Sequence, residues 1–306
     1  MKTKSAIAAT IAAFFIILAL INIDEISSFT KKSIISPQAK VLKNKPLETK
    51  PPPISAQDIL PNPDLKFEAE SILAVNLTKN QIIYQKNPDK KMPIASLAKV
   101  MTAVVAYENA IIENIIIIDD HCKVGESEIG LEKGEKLTIN ELLYGLILPS
   151  GNDAAEALAV GITGDRDKFI SLMNQKAADL DMSSSYFANP SGLDEKTLST
   201  TTQSTANDLY RLTTYAISFP YLKEIFATDS ITFPKNYRRK QYVFNNRLFL
   251  HNYFPYIKGI KPGYTNFAGN CLISLAEKQD AQILAIFLNS KDPKNDALTL
   301  FNYALK

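Results

Sequence analysis

Strand-forming runs stand at both ends of the region from Phe67 to the C-terminus, and helix-forming runs fill its middle. Residues 71–75 and 81–84 are apolar and β-rich, and they flank Asn76-Leu77-Thr78-Lys79-Asn80. That arrangement predicts a hairpin. A helix is expected to open near Ala95 and run through Val100, Met101, Val104 and Val105. Thr138 and Glu141 form a capping-box pattern ahead of the apolar stretch 142–148. Another helix follows Asn152-Asp153, one more covers 168–180, and Thr205 with Asp208 caps a helix through Tyr215. Strand signals return at 231–233, 242–244, 272–275 and 283–288, and a helix closes 292–305. This order predicts a mixed α/β (α+β) fold in which one antiparallel sheet carries a helical insertion.

The N-terminal part is different in kind. Residues 5–23 read SAIAATIAAFFIILALINI, without a charge. At about 1.5 Å per residue, a helix of that length crosses a hydrocarbon core of about 30 Å. Lys2 and Lys4 precede the run, and Asp24 and Glu25 follow it. A secretory signal is the competing reading, but no small-x-small cleavage pattern follows. We therefore expect residues 1–23 to be a transmembrane anchor. Residues 24–63 are rich in Lys and Pro, include Pro51-Pro52-Pro53, and carry no sustained apolar period. They are expected to be a linker, since proline-rich chain extends by about 3.1 Å per residue. Residues 64–306 are left for the folded domain.

Charge excludes one class of partner. Residues 1–64 hold eight Lys against five acids, so the whole-chain charge of +2 leaves the rest at −1. A folded part with no basic excess is not expected to bind nucleic acid. Two cysteines, Cys122 and Cys271, make no disulfide framework, and no paired Cys or His spacing suggests a metal. The two histidines, His121 and His251, read as ordinary surface or packing residues. With so little histidine, a Ser–His–Asp triad is not expected.

Three short motifs carry chemistry, and their order matters. Ser96-Leu97-Ala98-Lys99 sets Ser and Lys one turn apart on a predicted helix, with the serine in the first turn, where free backbone N–H groups favour negative charge. A serine hydroxyl needs a base, and a lysine serves when burial and nearby positive charge keep it neutral. The spacing alone is weak, for Ser28-Phe29-Thr30-Lys31 has it too. Ser150-Gly151-Asn152 adds a hydroxyl and an amide at a loop between helices, where it also reads as a helix N-cap. Lys261-Pro262-Gly263 adds a cation on a strand edge, with a glycine that permits close approach. Lys123-Val124-Gly125 shares the last pattern but precedes the Ser-x-Asn element, so order rejects it.

This ordered trio resembles that of penicillin-binding proteins and class A β-lactamases. The surrounding stretches PIASLAKVMTAVVAYE, LLYGLILPSGNDAAEALA, FANPSGLDE and GIKPGYTNFAGNCLISLAEK are similar to the D-alanyl-D-alanine carboxypeptidase family. The resemblance runs from about Phe67 to the C-terminus and implies a β-lactamase/penicillin-binding-type fold: an antiparallel sheet flanked by helices, with a helical subdomain. It also implies that Ser96 attacks the D-Ala-D-Ala carbonyl, Lys99 takes its proton and Ser150 relays one to the leaving D-alanine. Asn152 would hold the substrate amide, Lys261 would supply positive potential, and Gly263 would let the substrate approach. The backbone N–H groups of Ser96 and Tyr264 would form an oxyanion hole, and Thr265 would help bind the substrate carboxylate. The implied ligands are peptidoglycan stem peptide and β-lactams, with no metal or organic cofactor.

Two departures qualify the likeness. Pro262 stands where the family has threonine, so a hydroxyl and a backbone N–H are gone. Weaker carboxylate binding is expected, with the chemistry kept. Glu195, after Asn189-Pro190-Ser191-Gly192-Leu193-Asp194, lacks the form of the deacylating glutamate of class A β-lactamases. The rivals are a serine β-lactamase and a non-catalytic cell-wall binding protein on the same fold. The chemistry places the domain on the extracytoplasmic face of the cell membrane, held by a single N-terminal span. The mature protein is then expected to keep residues 1–23 and to sediment with membranes. N-terminal sequencing of the extracted protein checks this, and a mature chain starting within residues 24–40 would make the run a signal peptide.

Overall fold

Residues 71–76 alternate between two buried faces, which is possible only for a strand covered on both sides. The computed structural model describes residues 64–248, 250 and 253–306. The expected span, the linker and His251 lie outside the described residues. Strand β1 (Ser71–Asn76) pairs antiparallel with β2 (Gln81–Lys86) across the predicted turn, so the hairpin is borne out. Next come the short β3 (Met92–Pro93), a 3-10 turn at Ala95–Ala98, and α1 (Lys99–Asn109). Strands β4 (Ile115–Ile117) and β5 (Lys136–Thr138) form a small ribbon. Helices α2 (Ile139–Ile147), α3 (Asn152–Thr163) and α4 (Arg166–Asp179) follow. Strand β6 (Gln203–Ser204) pairs with β3, and α5 (Ala206–Ile217) and α6 (Pro220–Ala227) lead to the β7 (Ser230–Phe233) and β8 (Tyr242–Asn245) ribbon. The chain ends with β9 (Ile257–Thr265), β10 (Gly269–Lys278), β11 (Ala281–Ser290) and α7 (Pro293–Ala304).

The main sheet has the order β2-β1-β11-β10-β9. Its first and last strands in sequence are thus joined through β1 and β11, and the helices fill the excursion between. Leu73 and Val75 of β1, with Leu284, Ile286 and Leu288 of β11, face the core shared with α1–α6. Ile72 and Ala74, with Ile283, Ala285 and Phe287, face a second core closed by Leu300 and Phe301 of α7. Strand β9 stands at the edge, where a proline is tolerated.

Three expectations change. The helix foreseen from Ala95 starts as a 3-10 turn, and Ser96 lies in that turn ahead of α1. Ala95 has φ +48°, a left-handed value from which no α-helix can start. Helix α3 is capped by Gly151 without a side-chain bond, so the Ser150 hydroxyl does not serve as N-cap. Residues 231–233 and 242–244 are strands, but they pair with each other outside the main sheet. The Thr138–Glu141 capping box and the Thr205 cap are present as expected.

The β7–β8 ribbon is tied to α2 by a buried ion pair. Arg239 Nη2 donates to Glu141 Oε1 at 2.6 Å, and Arg239 Nη1 donates to the carbonyl of Pro234 at 2.8 Å. Burial alone would raise the Glu141 carboxyl, but the Arg239 bonds bring it below its ordinary value. A depressed carboxyl adds stability above its unfolded pKa of about 4.3 and loses it as pH falls through the folded value. Arg239→Met should cost about 3–5 kcal/mol, because it leaves Glu141 buried and unpaired. Urea denaturation near neutral pH measures the loss, which should shrink in acid.

Candidate active site

A buried amine is the first unusual feature. The Lys99 side chain is 0 % exposed, at the start of α1. Its Nζ lies 2.9 Å from Ser96 Oγ, 2.6 Å from Asn152 Oδ1 and 2.6 Å from the carbonyl of Ser191. Burial first, then the positive charges of Lys261 and Arg247, hold this amine well below its usual range, while Asp153 and Glu156 pull the other way. Lys261 is likewise 0 % exposed, and burial followed by Arg247 brings it to about 7. A neutral amine has two N–H groups and one lone pair. With the N–H groups donated to Asn152 and Ser191, the lone pair is left for the Ser96 hydroxyl. That arrangement can take a proton from serine.

Glycine lets the walls close on the nucleophile. A Cβ at Gly263 would meet Ser96 N at 2.9 Å, so β9 passes against the serine's own backbone N–H. A Cβ at Gly192 would strike the Ala95 carbonyl oxygen at 1.9 Å, so the 189–195 loop presses on the same turn from another side. That loop carries the Ser191 carbonyl that holds Lys99. Its Asn189 Oδ1 accepts from Gly192 N at 2.7 Å, and the Pro190 carbonyl accepts from Thr102 Oγ1 of α1 at 2.6 Å. Asp194 Oδ2 accepts from Phe267 N at 2.9 Å, which ties the loop to the β9–β10 turn. Turn, loop and strand thus form a closed circuit around Ser96.

The second hydroxyl is held differently. Ser150 is buried and has φ +66°, a strained value for a residue with a Cβ. Asn152 Nδ2 donates to the carbonyl of Glu126 at 2.9 Å. The Asp153 carboxylate accepts from the backbone N–H groups of Ile129, Gly130, Leu131 and Ala154, at 2.9–3.0 Å. Burial still raises its carboxyl, against those bonds. Asp153 thereby pins the 126–131 segment over the Ser-x-Asn loop. Arg247 Nη1 donates to Ser127 Oγ at 3.1 Å, and Arg247 N donates to the Leu148 carbonyl at 3.1 Å.

These parts enclose a cavity of about 510 Å³ lined by Ser96, Ser150, Gly263 and Tyr264, with Glu126, Ser127 and Arg247. The fold therefore brings Ser96, Lys99, Ser150, Asn152, Lys261, Gly263 and Tyr264 together around one site. Tyr264 is 64 % exposed, so it is not a packing residue. Cys271 is a small core residue and also touches the cavity. Thr265 is placed otherwise: its Oγ1 accepts from Ala268 N at 3.2 Å, and it is absent from the described lining. Glu195 Oε1 accepts from Asn189 Nδ2 at 2.8 Å and so braces its own loop. Among the described residues no group of His, Cys, Asp and Glu could hold a metal.

The match to known proteins agrees with this geometry. The D-alanyl-D-alanine carboxypeptidase family model matches residues 57–292. The chain belongs to that family. It is 30% identical over 252 residues to the D-alanyl-D-alanine carboxypeptidase DacF of Bacillus subtilis, covering 80% of this chain and 63% of that protein. It therefore spans less than two thirds of that relative's length. DacB2 of Mycobacterium tuberculosis, also a D-alanyl-D-alanine carboxypeptidase, is 33% identical over 69% of this chain and 71% of its own. The crystal structure of the Mycobacterium tuberculosis D-alanyl-D-alanine carboxypeptidase superposes with a TM-score of 0.73 at 28% identity, over 80% of this chain and 93% of that one.

The two lysines predict the pH profile of a family substrate. kcat/KM reports the free enzyme's groups. It should rise on the acid side as Lys99 loses its proton, far below the ordinary lysine value of 10.5. It should fall on the alkaline side as Lys261 loses its charge near pH 7. In Lys261→Arg the guanidinium stays charged, so the alkaline fall should vanish while the acid limb remains. Steady-state rates on a D-alanyl-D-alanine peptide across the pH range check both limbs.

Proposed function

We propose that this protein is a serine-type D-Ala-D-Ala carboxypeptidase acting on peptidoglycan stem peptides. The observation that carries the reading is the Ser96–Lys99 contact at 2.9 Å, with the amine buried and its N–H groups already donated elsewhere. Family membership supplies the substrate class.

In this reading Ser96 Oγ forms a bond to the carbonyl carbon of the penultimate D-alanine, and its proton passes to Lys99. The oxyanion that results faces the backbone N–H groups of Ser96 and Tyr264, each donor worth about 3–4 kcal/mol in such sites. Collapse of the adduct breaks the C–N bond. The departing nitrogen takes a proton through Ser150, and free D-alanine leaves. Water then attacks the Ser96 ester, with Lys99 again accepting the proton, and releases the shortened peptide. Asn152 holds the substrate amide through Nδ2, and Lys261 supplies positive potential near the carboxylate. Thr265 supports the turn behind Tyr264 and helps the carboxylate site indirectly.

The same reading covers β-lactams, whose strained amide presents its carbonyl to Ser96 in the same way. The charge-free run at residues 5–23 supports an anchored enzyme, single-pass in the cell membrane, with its domain on the extracytoplasmic face where peptidoglycan lies. Among the described residues no helix is long and apolar enough to cross a membrane, so the anchor rests on that run alone.

Incubation with a labelled penicillin followed by peptide mass spectrometry tests the assignment. The adduct should sit on Ser96 and last for minutes or longer. Lys99→Ala should slow its formation by at least about a hundredfold, the scale of general-base assistance. An adduct elsewhere on folded protein would sink the assignment, and turnover many times per second would make the protein a β-lactamase.

A further inference from the structure

The cavity does not end at Ser96. Its lining continues to Leu248, Leu250, Pro262, Asn270, Leu272, Pro293 and Lys294. Pro262 of β9 pairs with Leu272 of β10, so their side chains share one face of the sheet. Leu248, Leu250 and Leu272 belong to the core on the α7 side. Cys271, which pairs with Gly263, belongs to the core on the opposite side, where Gly263 meets Ser96. Strand β9 is the sheet edge. The cavity thus wraps around that edge, from the serine on one face to an apolar arm on the other.

The arm's character is set by its walls. Leu248, Leu250 and Leu272 are nearly fully buried, and Pro262 and Pro293 add ring carbons without a hydroxyl or an N–H. The cation at its mouth is Lys294, whose Nζ lies 4.4 Å from the centre of the Tyr253 ring. A carboxylate inside the arm would lose its water and meet no cation there, only the Asn270 amide, whose Nδ2 already donates to the Ser290 carbonyl at 3.1 Å. A carboxylate at the mouth would keep its water and meet Lys294. The arm proper therefore suits a hydrocarbon.

We propose that this arm receives the side chain of the residue released by the enzyme, and that it accepts straight apolar side chains longer than the methyl of alanine. The inference rests on the peptidase reading above. The acyl side of a stem peptide continues into polymer and has to leave the cavity toward solvent. The released residue has nothing beyond it, so its side chain is free to enter the apolar arm. An alanine methyl leaves most of the arm unfilled, and each further methylene removes apolar surface from water.

The test is a series of acyl-D-Ala-X peptides in which X is D-alanine, D-2-aminobutyrate, D-norvaline or D-norleucine, with the released amino acid quantified. The expected kcat/KM holds or rises along the series, by up to about fourfold per methylene. A fall of about tenfold or more by D-norvaline would overturn the inference while leaving D-alanine release, and so the peptidase reading, intact. Failure to release D-alanine from the parent peptide would overturn that reading, and this inference with it. In Pro262→Thr a hydroxyl joins the arm, and the D-norleucine to D-alanine ratio of kcat/KM should drop by about threefold or more, because burying an unpartnered hydroxyl is unfavourable. An unchanged ratio would place the released side chain elsewhere and overturn the proposal.

Discussion

The site is built around one buried amine whose basicity is lowered and whose contacts are fixed. Burial of Lys99 disfavours its charged form, and the neighbouring charges of Lys261 and Arg247 act in the same direction. Low basicity alone would still leave a freely rotating lone pair. The acceptors Asn152 Oδ1 and the Ser191 carbonyl take the two N–H groups, and that fixes the lone pair toward Ser96 Oγ. Charge state and direction are thus set by different parts of the chain. Helix α3 contributes one acceptor and the 189–195 loop the other.

Much of the remaining architecture keeps those parts in place. Asp153, next to Asn152, gathers consecutive N–H groups of Ile129, Gly130 and Leu131. A loop would otherwise have to satisfy those donors with water. The 189–195 loop is tied at both ends, to α1 through Thr102 and to the β9–β10 turn through Asp194. Asp194 Oδ1 is buried with no hydrogen-bond partner in the structure, so the Phe267 contact is bought at some desolvation cost. Ala95, next to Ser96, and Ser150 itself both have left-handed backbone. Strain of about 1–3 kcal/mol per such residue persists only where the surroundings overdetermine it.

The legible part of this molecule was local, and the illegible part was long-range. Ser96 and Lys99 could be read from their three-residue spacing together with the ordered Ser150-Gly151-Asn152 and Lys261-Pro262-Gly263 motifs that follow. The capping box at Thr138 and Glu141, the first hairpin, and the closing helix are likewise local devices. Pairing partners were not visible: nothing in residues 231–233 says that they pair with 242–245 rather than join the main sheet. The same holds for Ser191, which acts through a carbonyl that every residue possesses, and for Asp194, whose partner is 73 residues away. Arg247 carried no motif, and its influence comes from a charge brought near two buried lysines by the fold. The 3-10 start of the Ser96 helix also escaped prediction, because the left-handed backbone of Ala95 leaves no mark in the sequence.

The electrostatic design has a consequence for how substrate and catalyst interact. Lys99 and Lys261 are fully buried, and Arg247 lies close enough to lower both. Like charges held together in low dielectric repel, so the empty site favours discharge of its cations. An anion arriving beside Lys261 reverses that preference locally, because an opposite charge favours the charged form. Lys99 differs in that its Nζ is already engaged by Asn152 Oδ1 and the Ser191 carbonyl, beside Ser96 Oγ. An anion at that end of the site would therefore strengthen the charge on Lys261 that draws it in.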